Sequence, residues 1–270
     1  MTQTTPLAPL TPLRRLLLIG IPALFLAGCG GGDTADRLDL ANPAVRFVHA
    51  SPTAPNLTLY RNAAAQPDTT NVAYKFAANY ADVDTSAADW SVKTAVGAVP
   101  VGTVSIDPVR GNKYTIVALP TTIVDNSVIL VSDPYNKPLA SDSTRLRLVN
   151  AAYNAASVDV YMNAVGTNIA APGVTPLIAA TAFKTAGPAS GSDSVSIPAG
   201  TYQLTIATAG TKTVLFQGSL SFGANKDILL LSVPGNIPIN APVGNPPAPL
   251  GVKVLSKVEG TAGAVELPAN

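Results

Sequence analysis

Several residue types are nearly missing from this chain. Its 270 residues include one Cys, one His and one Trp, and glutamate stands only at positions 259 and 266. A single Cys excludes an internal disulfide framework, and one His with one Cys excludes zinc sites built from several of either. Charged residues are 12%, about half the usual share of roughly 25%, which disfavours long salt-bridged helices and coiled coils. The net charge of +1 provides no basic field to attract nucleic acid. No phosphate-cradling glycine loop and no Gly-x-Ser-x-Gly nucleophile elbow occurs in the sequence, and nothing in it implies a cofactor. Against these shortages stand 47% apolar residues, 21 glycines and 24 prolines. That balance supports a packed core and suits strands joined by many turns. The length suits about two domains of roughly 150 residues.

The amino terminus reads as an address. Arg14 and Arg15 precede an apolar run from Leu16 to Ala27. Twelve residues of helix reach only about 18 Å, short of a hydrocarbon core of ~30 Å, so the run is expected to be a signal segment and not a membrane span. It ends in Leu26-Ala27-Gly28-Cys29, which resembles the lipobox of bacterial lipoproteins. The resemblance implies cleavage between Gly28 and Cys29, acylation of Cys29, and attachment to a membrane through lipid. Each buried CH₂ contributes about 0.8 kcal/mol, so two or three chains anchor firmly. No Asp follows Cys29, which in the enteric pattern favours the outer membrane. Residues 29–44, opening with Gly30-Gly31-Gly32, are expected to be a flexible tether.

An internal repeat organises the remainder. Residues 45–63 align without gaps with residues 146–164, with identical pairs Arg46/Arg147, Val48/Val149, Ala50/Ala151, Ala54/Ala155, Tyr60/Tyr161, Asn62/Asn163 and Ala63/Ala164. Later stretches 90–95 and 111–117 answer 202–207 and 224–230 in the same order. The landmarks alternate as strands do: Val45, Phe47 and His49 against Arg46 and Val48, and Tyr202, Leu204 and Ile206 against Gln203 and Thr205. Further strands are predicted at 103–106, 114–118, 128–132, 213–222, 228–233 and 252–258. The fold class expected is all-β: two tandem antiparallel β-sandwich domains, similar to immunoglobulin folds, spanning 45–138 and 139–259. The seam from Asp133 to Ser143 is polar and short, 234–249 reads as a stiff Pro-rich loop, and 260–270 reads as a loose tail.

Arg46-Phe47-Val48-His49-Ala50-Ser51-Pro52, leading to a strand that ends near Tyr60, resembles the bacterial domain of unknown function numbered 4397. So do Pro198-Ala199-Gly200-Thr201-Tyr202 and Gly111-Asn112-Lys113-Tyr114. The resemblance spans both copies and implies an exported β-sandwich with no established activity. The second copy departs from it, with Asn150-Ala151-Ala152-Tyr153 in place of His-Ala-Ser-Pro.

Candidate chemistry is sparse. His49 and Ser51 share a strand face, with Cα atoms roughly 6.5–7 Å apart, and could belong to an envelope hydrolase. The structural reading, a strand-end His satisfying loop carbonyls, is preferred. Asp82 and Asp84 could hold Ca²⁺ weakly, but read first as a solvated loop. The hydrolase alternative could also use paired Asp residues, though nothing in the sequence singles out a pair. Tyr74, Phe76 and Tyr80, near Trp90, read as core packing, with a platform for a sugar ring or a protein as the alternative. Arg46 and Arg147 read as structural, bonding loop carbonyls or a carboxylate. The function expected is therefore a non-catalytic binding or scaffolding module of the cell envelope, whose partner is an envelope protein or polysaccharide.

Overall fold

The structure is a computed structural model that describes Met1 and residues 41–120, 127–135, 141–235 and 251–270. Gly28 and Cys29, the tether up to Leu40, and nearly all of the Pro-rich loop lie outside the described residues.

The regular structure of the described residues is strand, apart from a single 3₁₀ turn. The first half carries β1 (Ala44–His49), β2 (Leu57–Arg61), β3 (Ala64–Ala65), a single 3₁₀ turn (Pro67–Thr69), β4 (Ala81–Asp82), β5 (Ala88–Thr94), β6 (Pro100–Ile106), β7 (Lys113–Ala118) and β8 (Val128–Asp133). The second half carries β9 (Ser143–Asn150), β10 (Ser157–Asn163), β11 (Ile178–Ala182), β12 (Thr185–Gly187), β13 (Val195–Pro198), β14 (Gly200–Thr208), β15 (Val214–Phe222), β16 (Asp227–Pro234), β17 (Val252–Val258) and β18 (Val265–Glu266). The long strands fall where alternation and turn residues predict them. The turn 110–112 ahead of β7 uses Gly111 at φ +80°, a conformation costly for a side chain.

These strands form four sheets: β4-β1-β7-β8, β3-β2-β5-β6, β11-β10-β14-β15, and a six-stranded sheet in which β12 and β13 both pair with β9, followed by β16, β17 and β18. The expectation of purely antiparallel sheets needs one correction. β1 pairs with β7, and β9 with β16, in parallel. The cause is the route of the chain, which leaves β1 for the opposite sheet, runs through β2, β5 and β6, and returns beside β1 in the same direction. β9 and β16 are related in the same way.

Each half is a sandwich. Val45, Phe47, Leu57, Leu59, Trp90, Ile106 and Ile116 fill one core, and Leu146, Leu148, Val160, Leu204, Ile206 and Leu230 fill another. A third core lies between the halves, where Val48, Val117 and Val131 meet Val149, Leu229, Leu231 and Leu255. Strands β1, β7, β9 and β16 are thus buried on both faces. This is why Ile228-Leu229-Leu230-Leu231 reads as an unbroken apolar run and not as an alternating one.

Charged side chains surround this third core. Arg145 Nη2 donates to Asp133 Oδ1 at 2.8 Å, and Arg145 Nη1 stands 3.5 Å from Asp227, while Lys113 pairs with Glu259 at 3.0 Å. Tyr135 Oη donates to Asp227 Oδ2 at 2.8 Å, and the Lys113 ammonium lies 3.3 Å from the centre of its ring. The segment expected to be a polar seam therefore supplies two anchors, the partly buried Asp133 and the buried Tyr135.

The last eleven residues are not a loose tail. β18 pairs with β17, Glu266 bridges Lys75 at 2.6 Å and Lys253 at 2.8 Å, and Asn270 N donates to Gln217 O at 2.9 Å. Two ion pairs and a short strand are enough to hold a segment whose composition shows no strand signal.

Candidate ligand groove

Between β2 and β5 the chain leaves its sheet, makes the 3₁₀ turn, crosses the end of the first sandwich, and returns to pair with β1 as β4. The crossing is pinned by backbone bonds: His49 N to Phe76 O at 2.8 Å, Lys75 N to His49 O at 3.0 Å, and Ala78 N to Phe47 O at 2.9 Å. Because this crossing does not close the sandwich completely, a groove of about 430 Å³ remains between the two sheets. Phe76, Tyr80 and Trp90 line it with Phe47 and Leu59, Gln66, Asp68, Asn79 and Asp82 supply polar groups, and Thr261 to Gly263 form part of one wall. An apolar floor with a few convergent polar groups is the usual form of a ligand site.

The structure brings two of the three aromatic candidates together. Phe76 packs on the first core, and Tyr80 donates to or accepts from Thr115 Oγ1 at 3.0 Å, with the Arg46 guanidinium 4.4 Å from its ring centre. Burial raises the Tyr80 hydroxyl pKa, more than the nearby Arg46 charge lowers it. Tyr74 is elsewhere: it packs against the third core, edge-on to His49 at 6.4 Å. Trp90 is buried, and its Nε1–H has no acceptor among the described residues.

His49 sits in a different arrangement from a hydrolase base. Its Nε2 contacts Pro55 O at 3.1 Å, and its Nδ1 accepts from Ser51 N, not from the Ser51 hydroxyl, at 3.3 Å. The Ser51 hydroxyl is 3.3 Å from Thr53 Oγ1. Burial pushes His49 down to about 4, opposed by the Pro55 carbonyl, so the ring is neutral at pH 7. The carboxylates at 82 and 84 also diverge. Asp84 is held by both Nη atoms of Arg61 at 2.7 and 3.0 Å and by Ser86 N, while Asp82 lines the groove. The Arg61 bonds lead the effects that hold Asp84 well below the usual carboxylate range.

Arg46 and Arg147 occupy matching places on β1 and β9, yet their surroundings differ. Arg147 is enclosed by oxygen: Nη1 donates to Pro188 O at 2.5 Å and Ala189 O at 3.0 Å, Nη2 donates to Ser192 O, and Nε reaches Ser194 Oγ at 3.3 Å. Arg46 donates only Nε, to Thr115 Oγ1 at 2.9 Å. It lines the groove on one side and, on the other, a cavity of about 20 Å³ beside Asp133 and Arg145, room for about one water. The sequence places both arginines on strands but carries no signal for this difference, which arises in segments 66–83 and 188–194.

The corresponding crossing in the second sandwich leaves a more open depression of about 530 Å³. Its walls include Ile178, Ala179, Ala180, Ala182, Ala186 and Pro188, and no ring side chain apart from proline. The aromatic groove is a feature of the first sandwich.

Among curated proteins none matches the chain. Solved structures overlap with it at low similarity. A streptococcal virulence factor that binds α-glucan is 13% identical, with 70% of this chain and 93% of that chain covered and a TM-score of 0.23. Family 41 carbohydrate-binding modules from streptococcal virulence factors, which recognise α-glucan, are 13% identical over the same shares, with a TM-score of 0.21. A family 26 carbohydrate-binding module of Eubacterium rectale Amy13K, seen with maltoheptaose, is 6% identical, with 82% of this chain and 97% of that chain covered and a TM-score of 0.24. Residues 43–161, the whole first sandwich with β9 and most of β10, match the family described as a domain of unknown function (DUF4397).

Proposed function

We propose that this chain is a non-catalytic binding module of the bacterial cell envelope, built from two tandem copies of one unit and anchored through lipid on Cys29. Its ligand is an extended polysaccharide received in the groove of the first copy. The observation that carries this reading is the groove itself, where Phe76, Tyr80 and Trp90 line the apolar part and amide and carboxylate groups line the rest. Sugar rings present apolar faces and hydroxyl edges, and that combination of walls suits both. The sandwich supplies rigidity, so binding does not require ordering a loop.

Trp90 is the only Trp in the chain, and its emission therefore reports on the groove. Titrating the purified full chain with neutral and acidic oligosaccharides should shift that emission for at least one of them. Phe76→Leu and Tyr80→Leu keep apolar volume but remove the rings, and each should weaken binding about two- to tenfold. An emission blind to every oligosaccharide, or affinities indifferent to both substitutions, would overturn the reading. The anchor is tested separately. Cells fed radiolabelled palmitate should label the wild-type chain and not Cys29→Ser, and equal labelling of both would exclude lipidation at Cys29.

A further inference from the structure

One cation that lines the groove, Arg46, has no matching anion. Arg46 is only 7% exposed. Among the described residues no carboxylate lies within 4.0 Å of its guanidinium, and its Nη atoms donate to no oxygen. Lys257 is buried beside it, bonded to Asn79 Oδ1 at 2.9 Å and to Thr261 O. Its pKa is lowered by burial first and by the Arg46 charge second. Lys113 lies on the same side, paired with Glu259. A buried guanidinium without an anion is costly, and folded chains ordinarily satisfy it, as the carbonyl cage does for Arg147. Arg46 lacks such a cage and borders a groove large enough for a ligand.

We propose that the groove takes an acidic polysaccharide, with the carboxylate of a uronic acid residue accepting hydrogen bonds from Arg46 Nη1 and Nη2 while its sugar ring packs against Tyr80. The planar fork of a guanidinium matches a carboxylate in two parallel bonds, and the cation–π contact with Tyr80 holds that fork in place. Asp68 and Asp82 stand at the exposed rim, where water screens them and sugar hydroxyls can donate to them. The inference rests on the binding reading and specifies the charge of the ligand.

The test compares oligomers of galacturonate, mannuronate and guluronate with their neutral methyl esters, a neutral glucan and polyglutamate. The probes are titrated into the full chain by calorimetry and Trp90 emission. At least one uronate oligomer should bind tenfold or more tightly than its ester and weaken as salt is raised. Arg46→Gln should cost the uronate tenfold to a hundredfold and leave the ester unchanged, whereas Arg46→Lys should retain part of the affinity. The acid-against-ester comparison needs no variant, so a poorly folded Arg46→Gln would not leave the question open. Esters binding as tightly as acids would overturn the inference while the binding reading stood. Arg46-dependent binding of polyglutamate without any uronate would overturn the polysaccharide. Failure of every saccharide would remove the binding reading itself.

Discussion

Asp133→Ala should lower the unfolding free energy by about 3–5 kcal/mol, the usual result of leaving a buried charge without its partner, here the guanidinia of Arg145 and Arg147. Asp133 accepts from Arg145 Nη2 at 2.8 Å, Ser194 Oγ at 2.8 Å and Tyr135 N at 3.0 Å, and lies 3.5 Å from Arg147 Nη2. Burial alone would raise its pKa. The Arg145 and Arg147 charges, with the bonds from Ser194 and Tyr135, outweigh that and hold it below the usual carboxylate range. Without it the carboxylates left to Arg145 among the described residues are Asp227 at 3.5 Å and Asp193 at 3.6 Å, and two buried guanidinia lose the anion they share. Urea unfolding at pH 7 should show a lower midpoint with an unchanged slope. Asp84→Ala, which breaks the surface pair with Arg61 at 2.7 Å, serves as the control and should hardly move the midpoint. Equal midpoints for the two variants would show that the charge network does not hold the halves together.

Acid should destabilise this protein in two stages, and His49→Asn should abolish the first. A base whose folded pKa is lowered binds its proton more readily when unfolded. Stability is therefore full above the unfolded value of about 6.5 and declines as pH falls towards the folded value of about 4. Integrated across that window the loss is ~3 kcal/mol. Below it, protonation of Asp133 removes the anion that Arg145 and Arg147 require, because a carboxylate with a lowered pKa stabilises only while ionised.

Asn is the informative replacement because the second half already uses it. Asn150 accepts from Ala152 N at 3.1 Å and donates to Ala155 O at 3.0 Å, as His49 accepts from Ser51 N and contacts Pro55 O. The carbonyl reached from His49 lies one residue further along the chain than the one reached from Asn150, so the shorter amide of His49→Asn should lose part of the reach to Pro55, at a cost of about 1 kcal/mol at pH 7. The variant should then hold its stability between pH 6.5 and 4 and exceed the wild type by pH 5. Parallel declines of the two proteins across that window would rule out His49 as the titrating group.

The pairing of His49 with Asn150 also explains why a motif that looks chemical in sequence need not be. His49 two residues before Ser51 suggests a base and a nucleophile. The side chain in fact spans its own loop, binding the backbone at both ends of the turn, and an amide does the same work in the other half. The two residue types share a geometry, one acceptor and one donor carried a short way beyond Cβ, which a reading by chemical class does not detect.

Alternation and turn chemistry determined the strands of this protein and their inward residues. Val45 and Phe47, Leu146 and Leu148, and Leu204 and Ile206 all enter the cores that period two assigns them. This holds because each is half of a local pattern that needs no knowledge of its neighbours. The tertiary structure decided everything that depends on what lies across a face. It made Val48, Val149, Leu229 and Leu231 a third core, turned Asp133 and Tyr135 from linker residues into anchors between the halves, and bound the final residues to β17. It also separated Arg46 from Arg147, identical in sequence position but unlike in partners, because segment 188–194 brings carbonyl oxygens to one guanidinium and segment 66–83 leaves a groove beside the other. Hydrogen-bond satisfaction is a property of atoms brought together from distant parts of the chain, and a one-dimensional pattern has no term for it.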